Sequence, residues 1–345
     1  MKAISYMFSM MLFISCGNRE NYLKEYDIFQ IEIKDGKALF YKDKGAVTGI
    51  VTDRYGNGVV RTKSTFFGGF RHGLSEEWYS NGNLKSESTY NNGDEVELVE
   101  WYSDGKIKKK MEGRIKVSGL EEWVYEFDEW WPNGKLKHRI QRLESNIESE
   151  LFFDESEWWE NGSLKSISHY NINSWPAKVG EFEEWWENGK LKTLCTYSAT
   201  NFYTIEKKDG ICQEWWENGN PKYYGYFLDG REVGIHQSWW ENGNKRMTYN
   251  NLNGFPIGYS YTFWYKNGEI EEEEERNSKE NYTRSFYEDG KLKSESKWQL
   301  MGDRRIEKEW WYYGNNRLKE LTEYKGDSII RRECWTETGK PIKCD

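Results

Sequence analysis

One ten-residue phrase constrains this chain more than anything else in it. Glu183–Lys192 reads EEWWENGKLK, and near copies stand at Glu129–Lys137 (EWWPNGKLK), Glu157–Lys165 (EWWENGSLK), Glu214–Lys222 (EWWENGNPK) and Ser238–Arg246 (SWWENGNKR). Aligned on the turn glycine, the pattern recurs at Gly58, Gly82, Gly105, Gly134, Gly162, Gly189, Gly219, Gly243, Gly268 and Gly290. Asn316 takes the glycine place in a further unit, and Gly339 closes the series. Twelve units spaced 22–30 residues apart mark a tandem array, in which each unit is one supersecondary piece that cannot bury its own face. Repetition of this kind overrides the two or three domains that 345 residues would otherwise suggest.

Asn-Gly or Asp-Gly between two runs containing apolar residues is the strongest short signal for a β-hairpin with a two-residue type I′ turn. Asn316 suits the glycine place because asparagine tolerates left-handed backbone. With Asn188 and Gly189 at the tip, Glu187 faces Lys190, Trp186 faces Leu191 and Trp185 faces Lys192. Alternation then puts Trp186 and Leu191 on one face, and Trp185, Glu187, Lys190 and Lys192 on the other. The first face reads as a core pair, repeated at Tyr79/Leu84, Tyr102/Ile107, Trp131/Leu136, Trp159/Leu164, Tyr265/Ile270, Tyr287/Leu292 and Tyr313/Leu318. The second suits cation–π contacts and cross-strand ion pairs. A doubled aromatic thus supplies one ring to each side of a sheet. The expected fold is all-β: a single elongated, twisted antiparallel sheet of tandem hairpins.

Composition agrees with an array that buries rings. Aromatics are 17% of the chain, with 19 Trp and 24 Tyr, against 31% charged residues. A formal charge of −9 gives no global attraction for nucleic acid or acidic lipid, so neither is an expected partner. Residues 1–15 have the layout of a signal peptide: Lys2, an apolar stretch from Ile4 to Ile14, then Ser15 before Cys16. FISC resembles a loose bacterial lipobox, which implies cleavage before Cys16 and lipidation of its thiol. Residues 16–35 then read as a short tether and residues 36–345 as the repeats. The expected place is the bacterial cell envelope, with the membrane touched through a lipid anchor alone.

The phrases GGFRHGLSEEWYSNGNLKSESTYNNGD (Gly68–Asp94) and YFLDGREVGIHQSWWENG (Tyr226–Gly243) resemble the bacterial variant of the MORN repeat, of the type grouped as YwqK-like antitoxin components. GAVTGIVTDRYGNG (Gly45–Gly58) resembles the opening of such arrays. The resemblance implies antiparallel hairpins side by side and a binding role, with a toxin as one partner. The sequence departs from the family pattern in places. The Gly-x-x-x-Gly step survives at Gly69/Gly73, Gly230/Gly234 and Gly254/Gly258 and is absent from several connectors. Pro221 and Lys245 replace the core Leu in adjacent units, and the connectors Gln141–Ser156 and Ser198–Gly210 are long.

No catalytic constellation stands out. The four His (His72, His138, His169, His236) lack metal-ligand spacing, and His72 and His236 read as connector residues at a turn or surface. No phosphate loop, dinucleotide fingerprint or nucleophile elbow occurs, so neither enzyme activity nor a cofactor or metal is expected. Glu160, Glu187, Glu217 and Glu241 recur before the turn and read as structural cross-strand partners. The run Glu271–Glu275 reads as a solvated, self-repelling edge strand. Beyond Cys16, the cysteines Cys195, Cys212, Cys334 and Cys344 allow three pairings in an exported protein. Cys195–Cys212 would staple the strands around one long connector, and Cys334–Cys344 would close the last hairpin across a bulge or frayed end. Trp130, Trp158, Trp185, Trp215 and Trp239 form an outer ladder and are the candidate binding residues. The leading reading is a membrane-tethered scaffold for a protein partner, antitoxin-like. The alternative is a carbohydrate-binding surface lipoprotein using the Trp ladder.

Overall fold

A computed structural model describes residues 23–116, 123–143, 152–171, 177–199, 206–251, 260–276, 280–301 and 304–344. The expected signal peptide, Cys16 and the Gly254/Gly258 step lie outside the described residues. The chain divides into two compact units, Met1–Gly105 and Lys106–Asp345. Both are β, with no α-helix among the described residues.

In the first unit, strands Gly49–Arg54, Val60–Phe67, Phe70–Trp78, Leu84–Asn91 and Asp94–Trp101 form an antiparallel meander. Residues 25–34 correct the tether reading. Glu25–Asp27 is a strand parallel to Gly49–Arg54, and Ile31–Lys34 pairs with Lys37–Phe40 in a separate two-stranded sheet. Their apolar residues account for this order: Ile31, Ala38, Val47, Val51 and Phe66 form a buried cluster, with Tyr26, Ile28 and Phe40 against it. Gly49 permits the parallel crossing, since a Cβ there would sit 2.3 Å from the Lys24 carbonyl oxygen.

In the second unit, the nineteen strands among the described residues, from Ile107–Lys116 to Pro341–Ile342, each pair antiparallel with their sequence neighbours. Hairpins laid side by side are therefore the architecture, as the repeat pattern predicts. The Glu-rich strand Ile270–Arg276 is not an edge. It pairs with Ser260–Trp264 on one side and Glu280–Phe286 on the other. Three of its five carboxylates are individually answered: Tyr261 donates to Glu272, Arg284 pairs with Glu273, and Asn281 donates to Glu274.

The turns differ from the expected two-residue type. Trp186 N–H donates to the Lys190 carbonyl at 2.8 Å, and Gly189 N–H donates to the Trp186 carbonyl at 2.9 Å. The loop is thus three residues, Glu187-Asn188-Gly189, with only Gly189 left-handed at φ 81°. This is a type I turn followed by a glycine bulge, the commonest three-residue hairpin loop. Asn316 holds the equivalent place at φ 62°. Asparagine at the preceding position has a different task. Asn188 Oδ1 accepts from Lys190 N–H at 3.0 Å, while its Nδ2 donates 3.0 Å to the Glu217 carbonyl of the next tip. The same second bond runs from Asn57, Asn81, Asn133, Asn161, Asn218, Asn242, Asn267 and Asn315.

One residue of extra loop shifts the register. Trp185 faces Leu191, Glu184 faces Thr193, and Lys192 is left over as a bulge. Leu191 therefore joins the first ring of the doublet, not the second. The same correction holds for Trp78/Leu84, Trp130/Leu136, Trp158/Leu164, Trp264/Ile270, Phe286/Leu292 and Tyr312/Leu318. Lys192 turns to the other side, where its Nζ lies 2.7 Å from Glu184 and 4.9 Å from the Trp186 ring centre. The expected cation–π and ion pairs exist, but they belong to the second ring. Lys137, Lys165 and Lys222 repeat them with Glu129, Glu157 and Glu214. Glu160, Glu187, Glu217 and Glu241 are loop residues; each offers its carbonyl to an Asn of the preceding tip.

Candidate functional site

The second aromatic of each doublet is a structural tie. Trp131, Trp159, Trp186, Trp216 and Trp240 donate Nε1–H at 3.0–3.3 Å to the carbonyls of Trp158, Trp185, Trp215, Trp239 and Trp264. Tyr55, Tyr79, Tyr265, Tyr287 and Tyr313 do the same with their hydroxyls. Trp and Tyr interchange here because each carries one donor at the far end of an apolar body. On this inner face lie the most deeply buried groups of the second unit, among them Phe153, Cys195, Cys212 and His236.

The first aromatics occupy the other, outer face. Trp130, Trp158, Trp185, Trp215 and Trp239 stand in one row, all half-buried, opposite Leu136, Leu164, Leu191, Pro221 and Lys245. The Leu residues are half-buried, whereas Pro221 and Lys245 are exposed. Lys245 stretches to within 5.6 Å of the Trp264 ring centre. Pro221 has no such reach. Beside it a cavity of about 230 Å³ opens, lined by Gln213, Trp215, Pro221, Tyr224, Gln237 and Trp239. Pairing brings these together: Trp215 faces Pro221, and Tyr224 faces Gln213 on one side and Gln237 on the other.

The same three strands carry an uncharged patch one step farther from the tips. Ile211 (45% exposed) faces Tyr226 (44%), with Leu228 (56%) and Ile235 (54%) beside them. Alternation leaves no Asp, Glu, His, Lys or Arg on this face of the three strands between Asp209 and Arg231 at its far end and the Trp row. Elsewhere the outer face is charged. Arg139 forms a two-pronged pair with Asp128, Glu181 and Glu183 share the strand of Trp185, and Glu273 meets Arg284.

Behind the patch the inner face is tightly filled. Cys195 and Cys212 are directly opposite and joined in a disulfide, both buried. Phe227, Tyr197 and Tyr223 pack on it. His236 is fully buried within strand Arg231–Trp239, which corrects its reading as a connector residue. Its Nδ1 meets the Tyr223 hydroxyl at 2.6 Å, its ring stacks on Tyr249 at 5.0 Å, and Phe227 meets it edge-on. Burial holds the imidazole below its usual range, opposed by the Glu232 carboxylate. His72 also lies in a strand, Phe70–Trp78, and is exposed. Cys334 and Cys344 are bonded, Cys344 lying just past the two-residue strand Pro341–Ile342. Among the described residues no group of three or more His, Cys, Asp or Glu could hold a metal ion.

Sequence reasoning missed Gln213, Tyr224, Gln237 and the exposed apolar residues beside them. The signal was present as a strand-length absence of charge combined with Pro221 in a Leu place.

Fold and face together define a tandem β-hairpin repeat protein. Five segments, residues 71–92, 154–171, 178–199, 208–229 and 279–299, match the MORN repeat variant. Matched segment 208–229 contains most of the cleft and patch. A search of curated proteins found no match. Among solved structures, TcdB2-TccC3 without its hypervariable C-terminal region is 9% identical over 88% of this chain, with a TM-score of 0.18. TcdB2-TccC3-TEV is 10% identical over 88%, and TcdB2-TccC3-Cdc42 9% over 90%, each with a TM-score of 0.15. This chain spans 19% of each of those chains. Superpositions this poor carry no argument about function.

Proposed function

We propose that this chain is a non-enzymatic repeat scaffold that binds another protein through the outer face of residues 207–239. The observation that carries the reading is the uncharged patch of Ile211, Tyr226, Leu228 and Ile235, standing on a face that is otherwise charged. Protein-binding centres are depleted of charge and rich in rigid aromatic and aliphatic anchors, and here the anchors are backed by a disulfide. Lipidation at Cys16 would tether the scaffold to the bacterial envelope, and the partner would be a toxin that it neutralises. Capture of a partner by the full-length chain tests the reading. Ile211→Asp with Leu228→Asp should abolish capture, while Glu181→Ala, two strands away on the same face, should not. Equal capture by all three proteins would refute it. Labelled fatty acid appearing on the wild type and absent from Cys16→Ser tests the tether separately.

A further inference from the structure

The cleft beside Pro221 differs in chemistry from the apolar patch next to it. Its walls are the Trp215 and Trp239 rings, and across it run Gln213, Tyr224 and Gln237 in one cross-strand row. Each of these five side chains carries a polar group, yet none makes a hydrogen bond or ion pair within the described residues. The contrast with the inner ring of each doublet is direct. Trp186 and Trp216 spend their indole N–H on a carbonyl, whereas Trp215 and Trp239 do not. The polar atoms of these half-buried side chains stay within reach of solvent and are unused by the chain, so a ligand rich in hydroxyls can take them up in place of water.

We propose that this cleft is a subsite for one neutral sugar ring of a glycan. Two indoles offer apolar faces to the C–H side of a pyranose. Two primary amides offer paired donors and acceptors, which match adjacent hydroxyls that both give and accept hydrogen bonds. The site is also free of uncompensated charge. Glu214, which reaches the lining, is held by Lys222 at 2.7 Å, and Tyr223 is bound to His236. An anionic or cationic ligand would therefore lose hydration with no counter-charge to replace it. A volume of about 230 Å³ is below the range of drug-sized pockets, which suits a single ring and not a larger cofactor.

Within the row from Trp130 to Trp239 the opening belongs to this repeat; Pro341 faces Trp335 in the same way, but on the last, two-residue strand. In the same row Leu136, Leu164 and Leu191 stand beside Trp130, Trp158 and Trp185, and in the following repeat Lys245 extends toward Trp264. Only Pro221 is short enough to leave the space open among these five. The inner disulfide and the Tyr223–His236–Tyr249 stack hold the three strands in place, so the cleft exists before any ligand arrives.

The test uses the full-length chain and titrates intrinsic tryptophan fluorescence and calorimetric heat. The probes are neutral oligomers of glucose, mannose, galactose and N-acetylglucosamine, with a sialylated oligosaccharide and a proline-rich peptide as controls. Saturable binding of at least one neutral oligomer is expected, with the sialylated control no tighter than its neutral core. Trp215→Ala or Gln237→Ala should weaken it about tenfold or more. Pro221→Leu, which restores the residue used by neighbouring repeats, should abolish it while leaving the thermal transition unchanged. Trp158→Ala should leave it intact. The assignment is overturned if no neutral oligomer binds at about 10 mM. It is equally overturned if Pro221→Leu binds as wild type, or if only the peptide binds. Protein capture should survive Pro221→Leu and sugar binding should survive Ile211→Asp, so failure of one reading does not carry the other.

Discussion

At the scale of single residues, the recurrent Trp-Trp and Trp-Tyr doublets divide their labour by where each donor points. Trp186 has its indole N–H 3.2 Å from the Trp215 carbonyl, and Tyr79 brings its hydroxyl 2.9 Å from the Trp101 carbonyl in the same role. Trp186→Tyr should therefore cost less than Trp186→Phe, which loses the donor and leaves a carbonyl unmatched. The extra cost of Phe should be about 1 kcal/mol, read as a difference in local amide-exchange protection at the Trp186–Lys190 tip. Asn188 is equally specific. Asn188→Asp keeps the acceptor for Lys190 N–H and loses the donor to Glu217, as Asp289 does naturally where it accepts from Lys291 N–H. A loss of about 0.5–1.5 kcal/mol at that tip is expected, again by amide exchange. His236 makes a pH prediction. Its folded pKa is depressed by burial, so the unfolded chain takes up the proton first. Stability is full above about pH 6.5 and falls as pH drops toward the lower folded pKa. Melting temperature should decline between pH 7.5 and 5.5 in the wild type and decline less in His236→Asn. Further into acid, carboxylates such as Glu155, held low chiefly by its hydrogen bond from His138, add their own loss.

At the scale of the hairpin, the decisive detail is one residue of loop. Strand, Asn-Gly turn and strand are legible in the sequence, and so is the assignment of the two rings of each doublet to opposite faces. The register of the second strand is not, because Asn-Gly serves two kinds of turn. In the type I′ turn Asn is left-handed. Here Asn188 is not; its side chain ties two tips together, and only Gly189 needs the left-handed backbone. That tie is a contact between repeats, and no single repeat contains the information. The bulge then carried Lys192 across to Trp186 and left Leu191 with Trp185. Asn316 at φ 62° predicts that Gly189→Asn is tolerated better than Gly189→Ala, whose cost should be about 1–2 kcal/mol by thermal melt. The disulfide between facing Cys195 and Cys212 spans 17 residues, so its reduction should cost roughly 3 kcal/mol locally, read as lost amide protection in strands 191–215.

At the scale of the molecule, stability in the second unit is a sum of neighbour interactions, since each strand pairs with its sequence neighbours. Repetition alone makes that architecture legible in the sequence. What the repeat pattern concealed was the exception. A consensus names the residues that hold repeats together, whereas Gln213, Pro221, Tyr224 and Gln237 matter because they depart from it. The ladder of Trp130, Trp158, Trp185, Trp215 and Trp239 is one continuous row, and at Trp215 and Trp239 an open cleft accompanies it. The two rings of a doublet stand on opposite faces, and the second one is tied to the carbonyl of the next hairpin. Hydrogen exchange of the indole N–H groups, followed by NMR on tryptophan-labelled protein, measures this most directly. Trp131, Trp159, Trp186, Trp216 and Trp240 should exchange slowly, and Trp158, Trp185, Trp215 and Trp239 quickly. Equal rates within each doublet, or the reverse order, would contradict it.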